Sequence, residues 1–455
     1  MKLAILGGGG FRTPFVWQAL IRDMGTPRVD HVTLYDISES RLGIIENILK
    51  ELSQGFDDVP TLTVTTNLKE ALEGADFIFA AIREGGLEGR CCDEHVALDH
   101  NVLGQETTGP GGIAYAIRTV PIMLHIAQLV KEVAPQAFFI NFTNPAGIIT
   151  EAMQSVLGDR VVGICDTPSE LGRRVAGILG VDHASIQMDY VGLNHLGWMR
   201  RVVSNGKDVL PELLAQDTLL DKMEESKIFG KDWIRELGAV PNEYLYYYYD
   251  NKDAVRRIIE SPQTRGDYLL KTQTAFYRHA GTDLPNATQI WWNTVDARNA
   301  SYMAEALGGV QGAPTTQRDN DIDPSQLGYA GVALAVMAAI SRNERQTMIL
   351  NVRNSGTVHA MPDDAVVEVP TLVDGNGVHP LSLYAQPDLH QLGLMQQVKS
   401  VERHAILAAT EHSTHEALLA FGLHPLVDSI SIAHDLLEGY TQAIPGVARA
   451  LSKEH

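Results

Sequence analysis

Two short segments carry the residues best suited to chemistry, Gly163-Ile164-Cys165-Asp166-Thr167-Pro168 and Gly192-Leu193-Asn194-His195. Each ends a predicted strand and offers one soft or borderline metal ligand, Cys165 and His195. Two protein ligands leave positions open for substrate oxygens, as a catalytic divalent ion requires. Taken singly, each also fits a plainer reading, cysteine as a small core residue and histidine as a hydrogen-bonded core side chain. Gly7-Gly8-Gly9-Gly10 follows the first predicted strand and precedes a helix. There the backbone can approach a pyrophosphate, and the helix N-terminus supplies free N–H groups. Arg12 or Thr13 stands where a third glycine is usual. Asp36 closes the second strand, placed to accept hydrogen bonds from an adenosine ribose and to repel a 2′-phosphate, which favours NAD over NADP. A redox cofactor and an under-coordinated metal together predict chemistry at a carbon bearing a hydroxyl group.

Three further groups are chemically pointed. Arg83 and Arg90 flank Glu84-Gly85-Gly86-Leu87-Glu88-Gly89, just after a strand. Their guanidinium forks suit phosphate, although a solvated loop would look the same. Asn141-Phe142-Thr143-Asn144-Pro145 ends another strand and reads either as sugar-binding amides or as an Asx-turn ahead of a helix. Pro241-Asn242-Glu243 leads into a tyrosine run, Tyr244 to Tyr249 around Leu245, which suits packing or sugar stacking. A tyrosine base there would need its usual pKa of about 10 lowered. Adjacent Cys91 and Cys92 make a poor chelate and read as structural.

The elements that must position these residues alternate. Buried-strand runs at Leu3–Leu6, Val32–Tyr35, Phe77–Ile82, Phe138–Asn141 and Val161–Ile164 are separated by helical patterns at Thr13–Arg22, Ser40–Leu52, Leu68–Leu72 and Ile117–Val133. Repeated βαβ units predict an α/β fold, a Rossmann-type parallel sheet over residues 1–168 with ligands at the carboxyl ends of its strands. Residues 169–455 read as a mixed α+β domain. Its helices fall at Ser169–Leu179, Pro211–Asp221, Leu269–His279, Leu327–Arg342, Gln391–Thr410 and His415–Phe421, its strands at Met348–Val352, Ala365–Val369 and Thr371–Val373.

Composition narrows the partners. The 455 residues carry 36 basic and 56 acidic side chains, a net charge of −20. Neither nucleic acid nor an anionic membrane surface would attract that surface as a main partner. Only three cysteines are present, which points to a reducing compartment, the cytoplasm, rather than a disulfide scaffold. No leader is expected, because the chain runs at once into a strand and glycines. No membrane span is expected either, since no run of about 18 uninterrupted apolar residues occurs.

Taken in order, the motifs resemble family 4 of the glycoside hydrolases, and within it the 6-phospho-β-glucosidases. The stretches are Gly7–Pro14, Arg83–Arg90, Gly104–Gly112, Asn141–Gly147, Gly163–Pro168, Gly192–His195, Pro241–Tyr247 and Asn351–Pro370, which run in family order over nearly the whole chain. The resemblance implies an NAD- and metal-dependent glycosidase that works by oxidation, elimination, addition and reduction. Gly7, Gly8, Gly9, Gly10, Phe11, Arg12, Thr13 and Asp36 would then hold NAD, with Gly10 where the family loop has serine. Cys165 and His195 would hold a divalent ion, manganese on the family pattern. Tyr244 would be the base, Asp166 the acid and Glu106 a residue tuning the tyrosine, while Arg90, Asn144, Arg83 and Arg265 would bind substrate. The implied substrate is a phosphorylated disaccharide or glucoside, and the implied assembly a homodimer or homotetramer. Rival readings are a family 4 glycosidase acting on an unphosphorylated glycoside or uronide, a 2-hydroxy-acid dehydrogenase, and a non-catalytic NAD sensor.

Overall fold

Leu3 and Ile5 pack into one apolar layer and Ala4 and Leu6 into another. Phe77 and Phe79 alternate in the same way with Ile78 and Ala80. Strands buried on both faces must belong to a central sheet covered twice, and that period-two division builds the fold. The structure, a computed structural model, describes residues 1–300 and 328–452.

The strands are β1 Lys2–Leu6, β2 His31–Tyr35, β3 Thr61–Thr65, β4 Phe77–Ala80, β5 Phe138–Asn141, β6 Val161–Gly163, β7 Ile186–Leu193, β8 Leu196–Ser204, β9 Lys207–Asp208, β10 Val240–Pro241, β11 Gln346–Arg353, β12 Val366–Asp374 and β13 Gly377–Pro380. Their order is β10-β8-β7-β12-β11-β6-β5-β4-β1-β2-β3, with β13 on β12 and β9 on β8. From β3 to β6 every pairing is parallel. This is the dinucleotide-fold order, whose crevice opens between β1 and β4. From β6 onward every pairing is antiparallel, so the α/β halves share one sheet. The expected division after residue 168 falls inside it, and we retain it only as a proposal.

One register row crosses nearly the whole sheet: Thr65, Tyr35, Leu6, Ala80, Asn141, Gly163, Asn351, Glu368, Gly192 and Gly197. Gly7, Asp36 and Phe142 each follow a member of this row, and Cys165 lies two residues beyond Gly163. Asn141, Asn351 and Glu368 are fully buried in it, a polar stripe inside an otherwise apolar sheet. Gly163 is required at its crossing, since a Cβ there would lie 2.8 Å from that of Asn351.

Several boundaries differ from expectation. Strand β3 and β8, the partner of β7 in a long hairpin, were not predicted. Leu62 and Val64 are only partly covered, so β3 lacks the buried apolar signature. Segments Ala365–Val369 and Thr371–Val373 form one strand through Pro370. That residue falls between the single register point with β7, at Glu368, and the start of pairing with β13, at Thr371, where its missing N–H costs least. Pro211–Asp221 divides into Leu210–Ala215 and Asp217–Leu220. The final residue-327 helix is seen as Tyr329–Arg342; Leu327 itself lies outside the described residues.

The arginine-rich loop after β4 is also shorter than expected. Its second half starts helix Gly86–Leu98, so Arg90, Cys91 and Cys92 are helical. Helix Pro110–Val133 is, among the described residues, the one long and apolar enough to cross a membrane, yet 67% of its apolar window is buried in the protein. Within it Arg118 donates to both oxygens of Asp93, at 2.7 and 2.6 Å, with neither side chain exposed. It is a core helix, covered by Leu389–Thr410 and Pro445–Leu451.

Candidate active site

The glycine loop is closed by bonds from both halves of the chain. Gly7 and Gly8 donate to the Tyr35 carbonyl at 2.9 and 2.8 Å, and Gly10 donates to Gly7 at 2.8 Å. Gly7 has φ 85°, and a Cβ there would lie 2.7 Å from the Ala81 carbonyl, so only glycine fits. Three loop carbonyls are taken by aromatic donors from the second half: Tyr277 to Gly9 at 2.8 Å, Trp291 to Phe11 at 2.9 Å and Tyr329 to Arg12 at 2.8 Å. The Phe11 and Arg12 N–H groups have no acceptor among the described residues. They sit at the N-terminus of helix Thr13–Arg22, where an anion is favoured.

Asp36 accepts from Gly9 at 3.1 Å and Ser38 at 3.0 Å, so its carboxylate also shapes the loop. Ile37 beside it is 88% exposed. The Phe11 side chain packs on Phe276 at 5.3 Å and Trp291 at 6.3 Å, leaving its backbone to face a ligand. Thr13 reaches the Gly7 carbonyl at 3.4 Å. These features fit a dinucleotide.

His195 does not end a strand; with Asn194 it makes the two-residue turn of the β7–β8 hairpin. Its φ of 62° is left-handed, which costs a non-glycine residue about 1–2 kcal/mol and marks a place held for function. Its ring is held by Thr107, whose Oγ1 lies 2.8 Å from Nδ1. With the Thr107 hydroxyl donating to Gln105 Oε1 at 3.2 Å, Nδ1 donates to Thr107 and Nε2 carries the lone pair. That is the tautomer a metal ligand needs. Burial lowers the imidazole pKa to about 4, against the opposing pull of Asp166, and keeps the ring neutral.

Cys165 is buried, and burial, then the carboxylates of Glu368 and Asp166, push its thiol well above the usual range. A thiol among carboxylates is a poor anion by itself and a good partner for a cation. The Asp166 carboxylate acts on both the Cys165 thiol and the His195 imidazole. The donor set therefore fits a divalent ion. Thr107→Val should remove the acceptor that fixes the tautomer and weaken divalent-ion affinity by roughly 10–100-fold, measured by calorimetric titration of manganese; Thr107→Ser should restore it.

The tyrosines have separate fates. The Tyr244 ring stacks on His195, centroids 3.8 Å apart and planes 2° from parallel. Tyr244 is half-buried, whereas Tyr246 and Tyr247 are buried in the core. Tyr248 lies over His424, and Tyr249 accepts from Trp198 at 2.8 Å. Glu243, beside the base candidate, accepts from Thr167 at 2.9 Å, and burial raises its carboxyl to about 8 against the pull of Arg174.

The arginines and Glu106 divide into two groups. Glu106 bonds Arg83 at 3.1 Å and also pairs with Arg90. Arg90, buried, bonds Glu94 at 2.8 Å as well, and Glu94 accepts from the Gly266 N–H at 2.6 Å. Elsewhere Arg265 donates to the Arg298 carbonyl at 3.0 Å. Burial and the positive charges of Arg12 and Arg265 lower the Arg298 guanidinium to about 9. Arg12 itself lies 5.1 Å over Phe142 and 5.0 Å over Tyr329. Asn144 is half-exposed near the start of helix Ala146–Leu157, while Asn141 is a buried Asx-turn residue that accepts from Thr143 at 3.0 Å.

The sequence reading missed Thr107, Gln105, Arg298 and Glu368. Glu368 carried a visible signal, one charge inside the apolar run Ala365-Val366-Val367-Glu368-Val369.

Known proteins resemble this chain over most of its length. A model of the family 4 glycosyl hydrolases matches residues 2–181, and the model of that family's C-terminal domain matches residues 190–427. The chain is 29% identical to a probable 6-phospho-beta-glucosidase of Bacillus subtilis, over 97% of this chain and 96% of the relative. The 6-phospho-beta glucosidase of Thermotoga maritima, solved with manganese, NAD+ and glucose-6-phosphate, superposes with a TM-score of 0.81 at 28% identity, covering 97% of this chain and 98% of that one. A 6-phospho-alpha-glucosidase from gut microorganisms, in complex with NAD and Mn2+, gives 0.80 at 27% identity, with 98% of both chains covered.

Proposed function

The chain belongs to glycosyl hydrolase family 4, and we propose that it hydrolyses 6-phospho-β-glucosides by oxidation, elimination, addition and reduction at the sugar. The observation that supports this reading is the Tyr244 ring stacked on His195, a tyrosine against the imidazole that we propose as a metal ligand. The glycine loop would hold NAD, which would supply reversible hydride acceptance at C3, and Cys165 and His195 would hold a divalent ion, manganese, which would supply Lewis-acid polarisation. Tyr244 removes the C2 proton and returns it at the end. Asp166, which follows Cys165 and acts on His195, assists departure of the aglycone from C1. Asn144 orients the sugar hydroxyls. Glu106, tied to Arg83 and Arg90, fixes the wall of the site.

The Arg90 guanidinium already bonds two carboxylates. We assign the 6-phosphate to Arg265, where Arg12 and Arg298 add positive field, with Arg90 and Arg83 as further candidates. Both a phosphorylated substrate and NAD belong to the cytoplasm, where we place a homodimer or homotetramer.

A panel of nitrophenyl α- and β-glucosides, with and without 6-phosphate, tests the reading. The 6-phospho-β-glucoside should be cleaved fastest, without net NADH. Faster cleavage of the 6-phospho-α-glucoside would reverse the anomer, and equal cleavage of the unphosphorylated glucoside would remove the phosphate assignment. Net NADH from a 2-hydroxy acid would support the dehydrogenase, and NAD binding without any turnover the sensor. Arg265→Ala should raise KM for the phosphorylated substrate alone, by roughly 30-fold or more, as loss of a charge-assisted contact worth about 2–5 kcal/mol implies.

A further inference from the structure

A buried hydrogen-bonded strut links the polar stripe of the sheet to the turn that carries Tyr244. Glu368 on β12 accepts from Asn351 Nδ2 at 2.9 Å through one oxygen and from the Tyr190 hydroxyl at 3.1 Å through the other. The Tyr190 oxygen in turn accepts from Asn242 Nδ2 at 3.2 Å. Asn242 holds the next turn of chain from both ends. Its side-chain oxygen accepts the Tyr244 N–H at 3.0 Å, and its own N–H donates to the Gly197 carbonyl at 2.9 Å.

All four side chains are at most 1% exposed, so no water competes for these bonds, and each is costly to leave unmade. Space for the strut is built in. A Cβ at Gly197 would collide with the Tyr190 hydroxyl, and one at Gly192, paired opposite it, would collide with the Leu196 carbonyl. Gly197 thus leaves room for the Tyr190 phenol, and Gly192 lets the two strands of the hairpin that carries His195 approach closely. The same hairpin holds His195 at its tip, so the strut and the stacked pair share one frame.

We propose that Tyr190, clamped between Glu368 and Asn242, is a positioning residue for Tyr244. It sets the height of the Asn242–Tyr244 turn so that the Tyr244 ring lies flat on His195 with its hydroxyl toward the substrate C2. The inference rests on the reading of Tyr244 as the base. It requires no contact between Tyr190 and substrate. Glu368 serves as the anchor, because its carboxylate bonds two strands at a single register crossing.

Tyr190→Phe is the test, since it removes one oxygen and leaves the ring in its slot. Without the hydroxyl Asn242 loses its brace and the turn can shift. A crystal structure of the metal-free variant should show the Tyr244–His195 stack opened. With NAD and manganese bound, kcat for the 6-phosphoglucoside should fall about 10–100-fold, the scale of a catalytic group misplaced by about 1 Å. KM and manganese affinity should stay close to the native values, while the thermal midpoint falls by a few degrees because Glu368 and Asn242 each lose a buried partner. Asn242→Ser is the second variant. Serine still accepts the Tyr244 N–H in an ST-turn but does not reach Tyr190, and it should give the same split.

An intact stack with native kcat in Tyr190→Phe would overturn the strut. A parallel loss of kcat and manganese affinity would reduce it to ordinary core structure. Failure of the underlying reading shows separately, in the native enzyme, as product without deuterium at C2 after turnover in heavy water.

Discussion

Cys165→Ala protein is expected to fold, to bind NAD, and to lose both divalent-ion binding and glycoside turnover. The thiol is small and its removal opens little space, but it is one of only two proposed protein ligands. An ion polarising a reacting oxygen contributes several kcal/mol to the transition state, so turnover should fall at least about a thousandfold. The surroundings argue in the same direction. Glu368 and Asp166 both act on the Cys165 thiol, and the ion relieves that crowding of negative charge when bound. Native protein treated with chelator should lose activity in the same way and recover it best with manganese, whereas Cys165→Ala should not recover with any divalent ion. His195→Ala should match it in calorimetric titration. Full activity in native protein stripped of both metal and NAD would remove the whole mechanism.

Tyr244→Phe is expected to leave substrate binding intact and to lower kcat by roughly 10²–10⁴-fold, as for the loss of a general base. The ring that stacks on His195 at 3.8 Å is kept, so the loss reports the hydroxyl alone. Its neighbours cannot replace it, because Tyr246 and Tyr247 are each only 2% exposed. Turnover of the native enzyme in heavy water should place deuterium at C2 of the released sugar without build-up of NADH. An ordinary pair of carboxylates would leave that carbon untouched. Equal kcat in Tyr244→Phe, or product without deuterium, would return Tyr244 to the packing aromatics.

Both expectations depend on residues that could be named before any contact was known, and it is instructive which could not. The glycine loop, Asp36 and the alternating strands were legible because they are local. A strand buried on both faces must read as a continuous apolar run, and a loop meeting a phosphate must be glycine-rich at a helix N-terminus. Cys165, His195 and Tyr244 were legible as residue types and motifs. The family resemblance also implied their joint use; the contacts that join them were not legible, because they depend on the sheet continuing past β6.

Tertiary structure decided that continuation. Strand β11 pairs with β6 at one register point, Asn351 to Gly163, and β12 pairs with β7 at one more, Glu368 to Gly192. Those crossings bring Glu368 to act on Cys165 and place the Tyr190 hydroxyl within reach of its carboxylate. Tertiary structure also decided the arginines. Arg90 looked like a phosphate fork in a loop, but helix Gly86–Leu98 turns it inward onto Glu94 and Glu106. Arg298 carried no motif and lies near Arg12 and Arg265 only because the second half of the chain folds back onto the glycine loop. The reason is the same in each case. Periodicity and turn chemistry act between neighbours in the chain, whereas a buried carboxylate, a ring stack or a cluster of like charges is set by which distant strands and helices pack together.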